Sequence, residues 1–589
     1  MAQLMDLLSE SSLPQQDQRS LSFTNHKPKA FEEWVNTLPI VNVGETAKML
    51  YNGVQELNHL KASTALRLQL LELIRPQIHY TVDALKQHYA HHTILLSAKS
   101  RKVANLCQAL QRHLAMGFKI VLLEALNGGF LNNPREHIPT AIHRSMSELS
   151  FVLLRCYQLY HPPLPRLWQE FHVYALAEER DLLAFTIPDT EIDAHCEHRI
   201  ADLYKKMILI ATSHPNQLQP DDLENLFFCS NRWSQRVNIS AQATPDGLYA
   251  TNFSTDCPPG YTTCLAPDAD PQHIRYIDLS DVVKHLQSLP TSEKKTRLLK
   301  AEHSAQDRAF LSDYLTQHLM NVWSQTSKRL GDRAPKTGMA EICLGLNACH
   351  QQILSEAKNA SSPLPANQSE QDPHQAEVIN LETVLAHRGI QQRSNKKPDR
   401  YRCNIINTSA HGACLLWSQQ LPLQLKNGEL LLLRLIDNND WILGAIRWTR
   451  HFQGEGVRTG VQLFGPNIAP VYLQHIYSNT QQRNNTNEWM PGLLLPPNGI
   501  STNPSLITAK VGFKENAEIR LHYHGEHTIK LRSLISHSIM YNEFEVFSHN
   551  ALLAFDTDDT ADTPNPSGNE HQTNASNFDE DLDGLWNEL

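Results

Sequence analysis

No apolar run in the chain approaches the ~18 residues that would read as a membrane-spanning helix. The opening stretch, Met1-Ala2-Gln3-Leu4-Met5-Asp6, lacks the basic region and apolar core of a secretory leader. None of the ten cysteines forms a C-x-x-C pair, so neither a zinc framework nor a disulfide scaffold is indicated. Cys257 and Cys264 flank a Pro-Gly turn and would pair only in an oxidising compartment. These absences set the expectation of a cytoplasmic protein with reduced thiols. No G-x-S-x-G elbow, P-loop, G-x-G-x-x-G or H-E-x-x-H occurs, and the expectation is a protein that is not an enzyme and carries no cofactor.

Thirty histidines invite a metal reading, but the groupings are incomplete. His88 and His92 stand four apart with His91 beside them, and His195-Cys196-Glu197-His198 gathers ligand-type side chains. Neither has a second half at ligand spacing, and solvated surface histidines account for both, so no metal site is expected.

Basic residues are missing from one region altogether. From Asp556 to Leu589 there are ten carboxylates and no Lys or Arg. The formal net charge is −10, so without these ten negative charges the preceding 555 residues are formally neutral. Such a body is not a nucleic-acid platform.

The 589 residues, 41% hydrophobic and 19% charged, describe an ordinary globular composition spread over about three to five domains. Residues 1–40 are polar, with Pro14, Pro28 and Pro39, and read as a flexible arm. From Glu45 onward apolar residues recur at helical spacing (Ala47, Leu50, Val54, Leu57, Leu60), with Pro76 as a break or kink. Residues 41–355 therefore read as mainly α-helical, with a β insertion near 234–279 marked by Gly247, Pro258-Pro259 and Gly260. Residues 356–378 hold few large apolar side chains and read as a linker.

Beyond the linker the period changes to that of strands. Tyr401–Asn407 is rich in β-formers, Asn407, Ser409 and Gly412 make a turn, and Ala413–Trp417 is a second apolar run. Leu430–Ile436 and Trp441–Trp448 follow, joined by the polar turn Asp437-Asn438-Asn439-Asp440, and Thr459–Phe464 closes the set. Five short strands with tight turns predict a small antiparallel barrel over residues 379–480. Residues 485–555, where Ile519, Leu521 and Tyr523 alternate with Arg520, His522 and His524, predict a β subdomain packed on it. The expected class is multidomain α+β.

At these strands the chain resembles the PilZ family, bacterial β-barrel receptors for cyclic di-GMP. The family signature of Asp or Asn, then Ser two on and Gly three further, is matched by Asn407, Ser409 and Gly412. Gly444–Trp448 and Gly460–Leu463 are similar to the last two barrel strands of the family. The resemblance covers residues 385–475 only. Its other signature is two arginines four apart, well upstream of the Asn-x-Ser turn, which grip phosphates and guanine edges. In the stretch before the turn the chain offers Arg388 and Arg393, five apart, and Arg393 with Lys397. The resemblance implies ligand binding by Arg388, Arg393, Asn407, Ser409 and Gly412.

Two functions remain open from the sequence. One is a cyclic di-GMP-responsive signalling adaptor, with the barrel as sensor and the helical region contacting a protein partner. The other is a ligand-free barrel protein serving as an interaction scaffold. The tail adds a candidate partner contact. Residues 556–577 lack large apolar side chains, whereas Phe578, Leu582, Leu585 and Leu589 fall at i, i+4, i+7 and i+11, with Trp586 beside them.

Overall fold

The computed structural model describes residues 13–90, 94, 96–127, 134–188, 197–244, 247–289, 311–325, 334–360, 398–418, 421–436, 440–452, 454–476, 489–497 and 503–547. The described residues fall into two units, 13–325 and 334–547. The acidic tail, the 437–439 turn and most of the predicted linker lie outside them.

The first unit contains eleven α-helices among its described residues: α1 Pro28–Asn36, α2 Val43–His59, α3 Thr64–Lys86, α4 Ala98–Asn127, α5 Ile138–Gln158, α6 Leu167–Phe171, α7 Val173–Glu179, α8 Ile200–Thr212, α9 Pro220–Trp233, α10 Ser280–Ser288 and α11 Asp313–Ser324. Asn42 caps α2 by accepting from the Glu45 backbone N–H, and Ser63 caps α3 by accepting from that of Leu66. The apolar residues spaced at 3.6 (Leu50, Val54, Leu57; Leu71, Ile74, Ile78; Leu110, Leu114, Phe118) are fully buried in one core.

Helix α4 approaches α2 and α3 closely at Gly117, where a Cβ would stand 2.6 Å from a Leu71 methyl and 2.8 Å from Asn58 Oδ1. Helix α3 runs through Pro76 without a break, because side chains on both sides of the proline are locked into the core. Buried charges pair between helices. Arg75 and His79 of α3 reach Glu148 of α5 at 2.7 and 2.8 Å, and Arg144 reaches Glu72 at 2.9 Å. Burial alone would raise the Glu148 carboxyl, but His79 and Arg75 outweigh it and hold it below the usual range.

Strands β1 Thr186–Pro188 and β2 Glu197–Arg199 form a two-stranded ribbon. Strands β3 Asn238–Ser240, β4 Tyr249–Asn252, β5 Gly260–Tyr261 and β6 Ile274–Asp278 form a four-stranded sheet in the order β3-β6-β4-β5.

The second unit is built from two closed antiparallel barrels of six strands each among the described residues. The first consists of β7 Ala334–Leu344, β8 Tyr401–Ser409, β9 Gly412–Trp417, β10 Leu430–Leu435, β11 Ile442–Phe452 and β12 Gly456–Gly465, closed in the order β10-β11-β12-β9-β8-β7. The second consists of β13 Ala469–His475, β14 Met490–Leu495, β15 Ser505–Ala509, β16 Glu518–His522, β17 Glu526–His537 and β18 Tyr541–Phe547, in the order β13-β14-β15-β18-β17-β16.

Three features differ from the sequence reading. Residues 28–36 of the expected flexible arm form helix α1, because Phe31, Trp34 and Val35 supply an apolar face that packs into the helical core. The first barrel begins at Ala334, upstream of the predicted linker, so residues 334–355, a strand and most of the helix after it, belong with the barrels rather than with the helical region. β7 fills the gap between β8 and β10, which a five-stranded set cannot close. The second barrel takes β13, which the reading had assigned to the first.

Helix α12, Leu346–Ala360, follows β7 and joins the barrels. Its His350 Nε2 lies 3.1 Å from the Val471 carbonyl of β13. Cys343, Leu430, Leu432 and Leu443 of the first barrel share a core with Leu493, Leu495, Ile507 and Tyr541 of the second. The Ser538 hydroxyl donates to the Gly428 carbonyl at 2.8 Å.

Candidate functional site

A hairpin with Ala410 and His411 at its tip closes one end of the first barrel. Ser409 pairs with Gly412, Thr408 with Ala413 and Asn407 with Cys414, after a register shift between Ile405 and Asn407 that marks a bulge. The Leu463 N–H donates to the His411 carbonyl at 3.0 Å and fastens the tip to β12. At Gly412 a Cβ would stand 3.1 Å from the Val461 carbonyl oxygen and 3.6 Å from Ser409 Oγ, so a side chain here would press on β12. The predicted Asn407, Ser409 and Gly412 are thus brought together.

Polar capacity at this end is left unspent. Among the described residues Asn407 Oδ1 is buried with no donor, a cost of about 1–3 kcal/mol that reorientation onto a ligand N–H would remove. The Ser409 hydroxyl makes one long contact, 3.4 Å to the Gly412 carbonyl. Beyond the hairpin, Arg447 Nε donates to Gln462 Oε1 at 2.8 Å, and Gln462 is the cross-strand partner of Gly412.

β7 also reaches this end, Ala334 facing Thr408 and Pro335 facing Asn407. Arg333 is joined directly to Ala334, and Arg329 precedes it by four. That is the spacing of the arginine signature, well upstream of the turn. Both arginines lie outside the described residues, as do Arg388 and Arg393. Residues 388–393 lead into β8 from its other terminus, where Tyr401 faces Ile342. Eight residue steps, roughly 26 Å, separate Tyr401 from Ser409 along the strand.

Sequence reasoning did not weigh Arg329 and Arg333 as candidates because it left the first barrel strand in the helical region. The available signal was R-x-x-x-R running straight into an eleven-residue β segment. Arg232 and Arg236 share the spacing but lie in the first unit, on and just after α9.

The remaining arginines of this barrel are engaged elsewhere. Glu341 is 2.7 Å from Arg434, 3.6 Å from Arg400 and 3.8 Å from Arg402. The hydrogen bond from Arg434 holds the Glu341 carboxyl below its usual range. Trp441 donates its indole N–H to Glu356 at 2.6 Å, and the Arg434 guanidinium lies 4.5 Å from its ring centre. This cluster ties α12 to the barrel at the Ile342–Tyr401 end. Arg450 and Arg458 lie over Phe452, at 5.1 and 4.2 Å.

A closed antiparallel barrel that carries an Asn-x-Ser-x-x-Gly hairpin has the architecture expected of a PilZ domain. Comparison with known families bears this out. Residues 248–378 and 354–470 match the model of the middle PilZ domain of the cyclic-di-GMP receptor FimW, so the chain carries a PilZ domain. Residues 29–245 match the N-terminal domain of the same receptor, and residues 477–547 its C-terminal β-barrel domain. The chain is 28% identical over 626 aligned residues to the cyclic-di-GMP receptor FimW of Pseudomonas aeruginosa, covering 98% of each chain. No solved structure matches it.

Proposed function

We propose that the chain is a cytoplasmic cyclic di-GMP receptor that acts as a signalling adaptor. The nucleotide binds at the hairpin end of the PilZ barrel. Arg329 and Arg333 take its phosphates and a guanine edge as planar, bidentate donors. Asn407 and Ser409 take polar atoms of the guanine, whose N–H groups are the donors that the Asn407 oxygen lacks. Gly412 keeps the approach open.

The observation that carries the reading is the β7–β8 register. Ala334 lies opposite Thr408 and Pro335 opposite Asn407, and in the sequence Arg333 directly precedes Ala334, with Arg329 four residues before Arg333; this supports assigning the arginine role to that pair. Support also comes from the relative that aligns over 98% of the chain, the cyclic-di-GMP receptor FimW.

As an adaptor, the protein passes the ligand-bound state to a protein partner through its helical unit or through Phe578, Leu582, Leu585, Trp586 and Leu589. The barrel seam offers a route within the second unit, because the strand that follows the arginines runs into α12, which is hydrogen-bonded to β13 through His350. Calorimetric titration of the full-length protein tests the proposal. Cyclic di-GMP binds, and cyclic di-AMP, which lacks the guanine edge, binds at least tenfold more weakly. Absence of heat with cyclic di-GMP at high micromolar concentration would reject the receptor reading and leave the ligand-free scaffold.

A further inference from the structure

Among its described residues the helical unit holds a buried guanidinium with no carboxylate partner. Arg155 of α5 is 5% exposed, and its hydrogen bonds go to neutral oxygens: Nε to the Tyr89 hydroxyl at 3.0 Å, and Nη1 to Gln108 and Gln111 at 2.9 and 2.7 Å. Among the described residues its Nη2 makes no hydrogen bond, and Arg155 forms no ion pair. Burying a cation costs free energy unless an anion compensates it. In the same unit Arg75, Arg144 and Arg275 each have their carboxylate.

Arg155 lines a cavity of about 510 Å³ between α3, α5 and α9, within the range of small-ligand sites. Its walls mix aromatic and apolar side chains with polar ones such as Gln111 and Asn231, and Phe151 and Phe227 are tilted at 5.3 Å between ring centres. Tyr80 and Phe228 stand at its mouth, 56% and 37% exposed. The other charges facing the space largely cancel. Lys86 pairs with Glu224, and His79 is tied to Glu148. Asp83 adds a negative group that disfavours a second anionic charge on a ligand.

We infer that this cavity binds a small monoanionic carboxylate with a flat apolar body, its carboxylate on Arg155 and its body among Phe151, Phe227 and Phe228. A phosphate-rich ligand is disfavoured by the single uncompensated cation and by Asp83. The site is separate from the barrel and does not depend on nucleotide binding there. It gives the helical unit an input of its own.

The test is thermal unfolding and calorimetry of the full-length protein with phenylacetate and indole-3-acetate as probes, and phenylacetamide as the neutral control. At millimolar concentration the carboxylates raise the unfolding midpoint of the helical unit by roughly 2 °C or more, and the amide does not. Arg155→Lys keeps the charge but loses the planar fork, and weakens binding at least tenfold. Phe228→Ala, at the exposed mouth, weakens it several-fold and decides the matter if the Arg155 variant does not fold. The inference is overturned if neither carboxylate shifts the midpoint, or if phenylacetamide shifts it equally. It is also overturned if binding survives Phe228→Ala unchanged, or if a peptide of residues 578–589 binds there while the small carboxylates do not.

Discussion

Glu429 sits at the seam of the two barrels, 6% exposed, and Lys426 is the cation that acts on it. Burial pushes its carboxyl up to about 7 from the ordinary 4.5, against the opposing pull of the Leu430 N–H and of Lys426. The sign follows from proton binding. Below pH 4.5 the group is protonated in both folded and unfolded chains and contributes no difference. Between 4.5 and about 7 the unfolded chain ionises while the folded one keeps its proton, so stability falls as pH rises. Above about 7 both are ionised and the folded state carries the full penalty, on the order of 3 kcal/mol.

Glu429→Gln removes that penalty and retains an acceptor for the Leu430 N–H, now 3.3 Å from Oε1. The variant should match the wild type at pH 4.5 and exceed it progressively towards pH 8. Urea unfolding followed by tryptophan fluorescence reads this, since Trp417, Trp441 and Trp448 all lie in the first barrel. A difference between variant and wild type that is the same at pH 5 and pH 8 would refute the argument, because only a titrating group makes the gap grow.

Gly460→Ala should destabilise the first barrel by about 3 kcal/mol or more, measured by chemical denaturation, because a Cβ there would meet the Trp448 indole nitrogen at 1.8 Å. His350, lowered to about 4 by burial, makes the wild type lose stability as pH falls from 6.5 towards 4. His350→Gln should flatten that acid limb in a pH series of unfolding midpoints. A protease site inserted at residue 370 should give two bands on a denaturing gel but one species in native chromatography, because β7 on one side of the cut pairs with β8 and β10 on the other. Deleting residues 578–589 should remove one partner from a pull-down, and Trp586→Ala should reproduce most of that loss.

Many of the helices were legible from period, although α1 was read as part of a flexible arm. The spacing of Ala47, Leu50, Val54 and Leu57 is the buried face of α2, and the alternation around Ile519 and Leu521 is β16. The Asn407-x-Ser409-x-x-Gly412 hairpin was legible because turn chemistry is local. What could not be read was pairing between distant segments. The strand Ala334–Leu344 is separated from β8 by more than fifty residues, so the strand-like run from Ala340 carried no local sign of the barrel it joins. With that strand left in the helical region, Arg329 and Arg333 were not weighed as candidates. The buried Arg155 was invisible for the same reason, since Tyr89, Gln108 and Gln111 converge on it only in the folded unit.

The assignment of the arginines is tested most directly by titrating cyclic di-GMP into Arg333→Ala and Arg393→Ala side by side with the wild type. Arg333→Ala should weaken binding by about 1.5–3 kcal/mol, the range for a hydrogen bond to a charged group, while Arg393→Ala leaves it unchanged. Loss of affinity in Arg393→Ala, with Arg333→Ala binding as tightly as the wild type, would contradict the site built on the β7–β8 register.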